Sequence, residues 1–104
     1  MMKSVYLKLY LTEDRKHRGM PLHEWLLEEA RKLGAPGGSV FRAIAGYGRD
    51  GKLHEETFIE LAGEVPVQIE FLLEEKMADE YLEALRKYDL NLRYVRYPVS
   101  VGVV

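Results

Sequence analysis

The chain has 104 residues, room for one domain with a modest core, and its 47% apolar and 31% charged content is that of a globular protein. Its 15 basic and 17 acidic residues leave a formal net charge of -2, so no overall positive field attracts nucleic acid. The absence of cysteine excludes disulfides, thiolate metal sites and cysteine nucleophiles together.

Met1-Met2-Lys3-Ser4 leads straight into an alternating pattern, with no signal-peptide core, and no apolar run is long enough to cross a bilayer. A cytoplasmic location without membrane insertion is the expectation. Gln68 and Asn91 are the only side-chain amides, and with abundant Glu, Lys and Arg they point to a thermophile source.

From Val5 to Thr12 the pattern alternates strictly, Val5, Leu7, Leu9 and Leu11 on one side and Tyr6, Lys8, Tyr10 and Thr12 on the other, which predicts a strand. A polar, basic segment, residues 13–19, follows. Pro21 suits the first turn of a helix that carries Leu22, Trp25, Leu26, Ala30 and Leu33 at helical spacing and stops at Gly34 and Pro36. Ser39 to Tyr47 reads as a second strand between glycines, and Arg49-Asp50-Gly51-Lys52 as a polar loop. Thr57 to Leu61 fits a short ribbon arm. Pro66 to Leu73 is the third main strand, with Val67, Ile69, Phe71 and Leu73 on one face. Glu75 to Tyr88 is a second helix with one apolar stripe. Leu92 to Tyr97 is a fourth strand, interrupted by Pro98, and the extension 98–104 is expected to follow an edge or reach a neighbour.

The order β-α-β-β-α-β predicts an α+β fold: a ferredoxin-like sandwich, one antiparallel sheet with two helices on one face, forming a single domain over residues 1–104. The other sheet face holds Tyr6, Tyr10 and Leu72 beside Lys8, Gln68 and Glu70. A half-apolar open face marks either a partner surface or an ordinary solvated face that happens to carry tyrosines, and burial against other copies is the favoured reading.

Ser4, Ser39 and Ser100 lie in no nucleophile-elbow sequence, Walker A is absent, and His17, His23 and His54 lack the spacing of a helical zinc pair. Glu28-Glu29, Glu55-Glu56 and Glu74-Glu75 are adjacent doublets in polar stretches, the pattern of a solvated face. No catalytic constellation remains, and a non-enzyme is expected. RNA-recognition domains share the element order, but Gln68, Glu70 and Leu72 stand where stacking aromatics would be needed, which argues against nucleic acid.

The segment from Arg42 through Ala45-Gly46-Tyr47-Gly48-Arg49-Asp50-Gly51-Lys52 is the candidate ligand site. Gly46 and Gly48 let backbone N–H groups approach a ligand, while Arg42, Arg49 and Lys52 offer charge to an anion. Taken alone, the same residues read more readily as a soluble glycine-rich turn. Arg15 and His17, from the basic segment after strand one, are candidates to complete the site.

Gly46-Tyr47-Gly48-Arg49 resembles the segment that closes the second strand of PII signal-transduction proteins ahead of their T-loop. The wider pattern is similar to an uncharacterised PII-like (GlnB-like) family over about residues 3–97. It shows as Tyr10-Leu11-Thr12-Glu13, Gly19-Met20-Pro21-Leu22, Val40-Phe41-Arg42-Ala43-Ile44-Ala45-Gly46-Tyr47-Gly48, His54 and Val65-Pro66-Val67. The resemblance implies a homotrimer with a cleft between subunits that binds ATP, ADP or AMP, with Gly48 and Arg49 at the phosphates. It also implies a T-loop counterpart at about 49–65 that meets a regulated transporter or enzyme. Asp50 occupies the position from which PII proteins help hold Mg²⁺. Two departures stand out: the connection Tyr88-Asp89-Leu90-Asn91-Leu92 lacks the glycines and lysine of the PII B-loop, and 49–65 contains no tyrosine. The missing B-loop leaves open a second reading, a structural or metal-responsive trimer like the CutA relatives, in which His17, His54 and loop carboxylates, Asp50 among them, bind metal.

Overall fold

The computed structural model describes residues 3–47, 54–55 and 65–104. Along the chain run β1 (Ser4–Thr12), β2 (Lys16–His17), β3 (Met20–Pro21), α1 (Leu22–Lys32), β4 (Gly38–Arg42), β5 (Ala45–Gly46), β6 (His54–Glu55), β7 (Pro66–Glu74), α2 (Glu75–Arg86) and β8 (Arg93–Val99). The main sheet has the order β4-β7-β1-β8 with every neighbouring pair antiparallel, the arrangement of the predicted ferredoxin-like sandwich.

Alternation decides which side of the sheet is covered. Val5, Leu7, Leu9 and Leu11 of β1 and Val67, Ile69, Phe71 and Leu73 of β7 are all buried, beneath Leu22, Trp25, Leu26 and Ala30 of α1 and Ala78, Tyr81, Leu82 and Leu85 of α2. Tyr81 fastens one helix to the other, its hydroxyl donating to the Leu26 carbonyl at 2.8 Å. Burial, helped by the charge of Glu29, drives the Tyr81 ionisation well above the ordinary tyrosine range. Gly34 closes α1 with φ +95°, and the N–H groups of Gly34 and Ala35 return to the carbonyls of Arg31 and Ala30, a Schellman motif. At Gly38 a Cβ would lie 2.5 Å from the buried Phe71 ring, so close approach of β4 to β7 requires glycine there.

The structure corrects several boundaries. Pro21 stands just ahead of the first turn of α1, at its N-cap. The strand expected over Ser39 to Tyr47 is two separate pieces. β4 stops at Arg42 because the residue opposite its next position, Pro66, accepts from the Ala43 amide at 2.9 Å but has no N–H to return the second bond of the ladder. Ala45–Gly46 then leaves the sheet to pair with His54–Glu55. Pro98 does not interrupt the last strand. β8 continues through it to Val99, with Pro98 opposite Val5, because β8 is an edge strand and needs no donor on its outer side. The extension is therefore residues 100–104, which have no regular structure and are exposed. α2 ends at Arg86, two residues before Tyr88, as Asp89 and Asn91 take left-handed backbone with φ 52°. The ribbon expected over Thr57 to Leu61 and the polar loop from Arg49 to Lys52 lie outside the described residues.

The basic segment after β1 hides a hairpin. His17 pairs with Met20 across Arg18 and Gly19, both with positive φ (53° and 81°), which defines a type I′ turn.

On the uncovered face, the register sets Tyr97 and Val95 of β8 beside Tyr6 and Lys8, and Phe41 of β4 beside Gln68. Phe41 is 50% exposed, Leu72 45% and Tyr97 42%, so the apolar surface spans all four strands. At its centre the Glu70 carboxylate collects three groups: Gln68 Nε2 at 2.7 Å, Lys8 Nζ at 3.8 Å and the Tyr6 hydroxyl. The hydrogen bond to Glu70 is the main reason that the Tyr6 ionisation is pushed up to about 12. Tyr6 also stacks on Tyr97, with ring centroids 5.4 Å apart.

Candidate functional site

Four residues of the predicted site, Arg15, His17, Arg42 and Gly46, lie on strand ends or connections at one end of the sandwich. Thr12 lies opposite Pro66, Tyr10 opposite Arg93 and Val67 opposite Arg42, so all four main strands end or begin there. The β1–α1 connection, the base of the segment between β4 and β7, and the α2–β8 connection share this edge.

Arg15 bridges two of these connections. Its Nη2 donates to the Leu90 carbonyl at 2.8 Å, and its own carbonyl accepts from the Leu22 amide that starts α1. His17 lies against Trp25, with centroids 4.3 Å apart, and meets Tyr88 edge-on at 5.6 Å. Its Nε2 is enclosed with no hydrogen-bond partner among the described residues. Arg18 and Lys87 each lie over the Tyr88 ring, at 5.3 and 5.5 Å. The hairpin and the α2–β8 connection thus form one aromatic and cationic knot. Beside it, Leu82, Leu85, Leu90, Leu92 and Tyr94 line an apolar cleft of about 270 Å³.

Arg42 forms a two-pronged ion pair with Glu13, Nε to Oε2 at 2.8 Å and Nη2 to Oε1 at 2.7 Å. The guanidinium holds the Glu13 carboxyl below the usual carboxylate range. Two backbone bonds flank the pair: the Glu13 amide donates to the Val65 carbonyl at 2.8 Å, and the Ala43 amide to that of Pro66. Together they close the base of the segment between Ala43 and Val65.

Gly46 pairs with His54 in the β5–β6 ribbon, and a Cβ built on it meets no described atom within 4 Å. Packing among the described residues therefore does not demand glycine at this position. Tyr47 follows, 74% exposed. Gly48, Arg49, Asp50 and Lys52 lie outside the described residues, and His54 is described in its backbone only. Among the described residues no group of three His, Asp or Glu side chains converges as a metal site.

The structure therefore brings Arg15, His17, Arg42 and Gly46 to one end, with Arg15 and Arg42 already engaged by Leu90 and Glu13. Sequence reasoning missed Glu13 as the partner of Arg42, and Trp25 and Tyr88 as the walls around His17. Trp25 and Tyr88 carried a helical signal that was spent on the core. Glu13 carried none, since its partner is 29 residues away.

The model of the DUF190 family, described as "Uncharacterized ACR, COG1993", matches residues 4–100. A UPF0166 protein of Aquifex aeolicus is 34% identical over 86 residues, covering 83% of this chain and 82% of its own length. A UPF0166 protein of Methanocaldococcus jannaschii is 33% identical over 70 residues, 67% of this chain and 64% of that protein. Among solved structures, CPII of Thiomonas intermedia K12, bound to ADP and bicarbonate, superposes with a TM-score of 0.67 at 16% identity, over 97% of this chain and 90% of that one. A PII-like signalling protein of Thermus thermophilus gives a TM-score of 0.63 at 21% identity, over 99% and 91%. The fold is PII-like.

Proposed function

The chain belongs to the DUF190 family, and from that membership together with its PII-like fold we propose that it is a ligand-binding regulatory protein, not an enzyme. In this reading it is a cytoplasmic homotrimer that binds an adenine nucleotide, with or without Mg²⁺, in the cleft between neighbouring subunits. Bare backbone at Gly46 and Gly48 approaches the phosphates, Arg49 and Lys52 neutralise them, and Arg15 and His17 buttress the adjoining wall. The bound ligand orders the segment at about 49–65, which then docks on a regulated transporter or enzyme.

The observation that carries the reading is the shared end of the sandwich. Arg15 and His17 follow β1, and Arg42 and Gly46 lie at and just beyond the end of β4, the two strand ends beside which the backbone tethers of the 44–64 segment form, in a fold that a PII-like neighbour uses in an ADP-bound state. The open face supports self-assembly, because Phe41, Leu72 and Tyr97 form a surface that water solvates poorly.

Calorimetry of the full chain with ADP, ATP and AMP, paired with light scattering, tests the proposal. Saturable binding of one nucleotide per protomer to a trimer is expected, weakened at least about tenfold by Arg49→Ala, the loss of one charge-assisted contact. A strictly monomeric chain, or no binding of any of the three, overturns it.

A further inference from the structure

Two apolar surfaces of the chain stand open to water, and their shapes match. Beyond β8, Val101 is 62% exposed and Val103 and Val104 are fully exposed, in an extension without regular structure. On the uncovered sheet face, Tyr6, Pro36, Gly38, Phe41, Phe71 and Leu72 line a groove of about 480 Å³. We propose that this groove receives the extension, residues 100–104, of a second copy of the chain. The inference rests on the self-assembly proposed above and adds to it the segment that crosses between subunits and the place where it lands.

The extension carries the pattern of an added strand. Val99, Val101 and Val103 alternate with Ser100 and Gly102, so an extended backbone sets β-branched side chains in one row. β4 supplies a matching edge, since it is the outermost strand beside β7 and its other side pairs with no strand among the described residues. Strand addition takes affinity from main-chain hydrogen bonds and specificity from pockets that accept alternate side chains. The groove beside β4 is such a pocket, and the one charged group in its lining is already engaged. Glu70 holds Gln68, Lys8 and the Tyr6 hydroxyl, so no unpaired charge meets the incoming valines.

Topology makes the donor a second copy. β8 and β4 are the two opposite edges of the sheet, three strand spacings or about 14 Å apart. The extension reaches about 17 Å when fully drawn out, so a chain's own valines would be spent in crossing the sheet before they could run along β4. A neighbouring copy meets no such limit.

The chain has no cysteine, so single introduced cysteines report the contact directly. Val103→Cys and Ser39→Cys, both at exposed positions and the second in the groove, are mixed as full chains, oxidised in a thiol–disulfide buffer and read by intact mass. Glu80→Cys, exposed on α2, replaces Ser39→Cys as the control. Docking raises the local concentration of the two thiols, so the Val103–Ser39 disulfide is expected at least about tenfold above the Val103–Glu80 one. Thermal unfolding confirms that each variant is folded. Ending the chain at Val99 is expected to weaken self-association at least about tenfold, read by light scattering over a dilution series. Equal yields of the two disulfides, the result also given by an extension that folds back on its own sheet, overturn the inference. Assembly unchanged in the shortened chain overturns it as well. Calorimetry with ADP stands apart from both measurements: ADP binding by an assembly without the disulfide preference keeps the nucleotide reading and removes this one, and the preferred disulfide without ADP binding does the reverse.

Discussion

The guanidinium of Arg15 reaches the backbone carbonyl of Leu90 at 2.8 Å, joining two connections that are 75 residues apart in the chain. The contact is half-buried and charge-assisted, and it holds the α2–β8 turn in which Asp89 and Asn91 take left-handed backbone. Arg15→Ala is expected to lower stability by about 1–2 kcal/mol in urea unfolding. Amide exchange is expected to speed up at Asn91 and Leu92 while the centre of β1 stays protected. Unchanged exchange in that turn would show that the bond holds nothing.

Gly38→Ala tests the close approach of β4 to β7. The new Cβ falls 2.5 Å from Phe71 Cε1 and 3.1 Å from Leu27 Cδ2, and Phe71 is only 2% exposed. Overpacking of this kind costs about 1–3 kcal/mol, read as a lower midpoint in thermal or urea unfolding. A neutral result would mean that the edge strand shifts freely away from Phe71.

Leu72→Asp places a charge in the apolar part of the open face without touching the core, since Leu72 is 45% exposed. If that face is covered by other copies, burying an unpaired carboxylate disfavours assembly, and light scattering is expected to show dissociation to folded monomers. An assembly that survives the substitution would place the contact on another surface.

The Glu13–Arg42 pair gives a pH dependence whose sign is fixed. Arg42 holds the Glu13 carboxyl below its ordinary value of 4.5, so the folded form takes up a proton less readily than the unfolded one. The pair's stabilisation is complete above the ordinary value and disappears as pH falls through the depressed one. NMR titration of the Glu13 carboxyl carbon is expected to show a midpoint below that of an ordinary glutamate and, in Arg42→Gln, a return towards it. Equal midpoints in the two proteins would remove the ion pair from solution.

The core was legible because periodicity is local. β1 and β7 show their faces through period two, and the helices through stripes such as Leu22, Trp25, Leu26 and Ala30. The end of β4 was not, because Ala43 and Ile44 continue an apolar run, and the break depends on Pro66, a strand away. The β2–β3 hairpin escaped notice because Arg18 stands where asparagine usually announces a type I′ turn. Pro98 read as an interruption because no pattern along the chain says that β8 lies at an edge. At the candidate site the cations were visible, while the group that occupies Arg42 was set by a contact across 29 residues.

Pro98 also limits how the molecule can grow. A visiting strand that zips onto the rim of a sheet needs an unbroken row of amide hydrogens, and a proline leaves one rung missing near the far end of β8. Lateral, fibre-like propagation along that rim is thereby discouraged, whereas the broad hydrophobic plane of the sheet remains open to contact. At this rim, strand-to-strand pairing is disfavoured relative to contact through the sheet face, a bias set by a single imino acid.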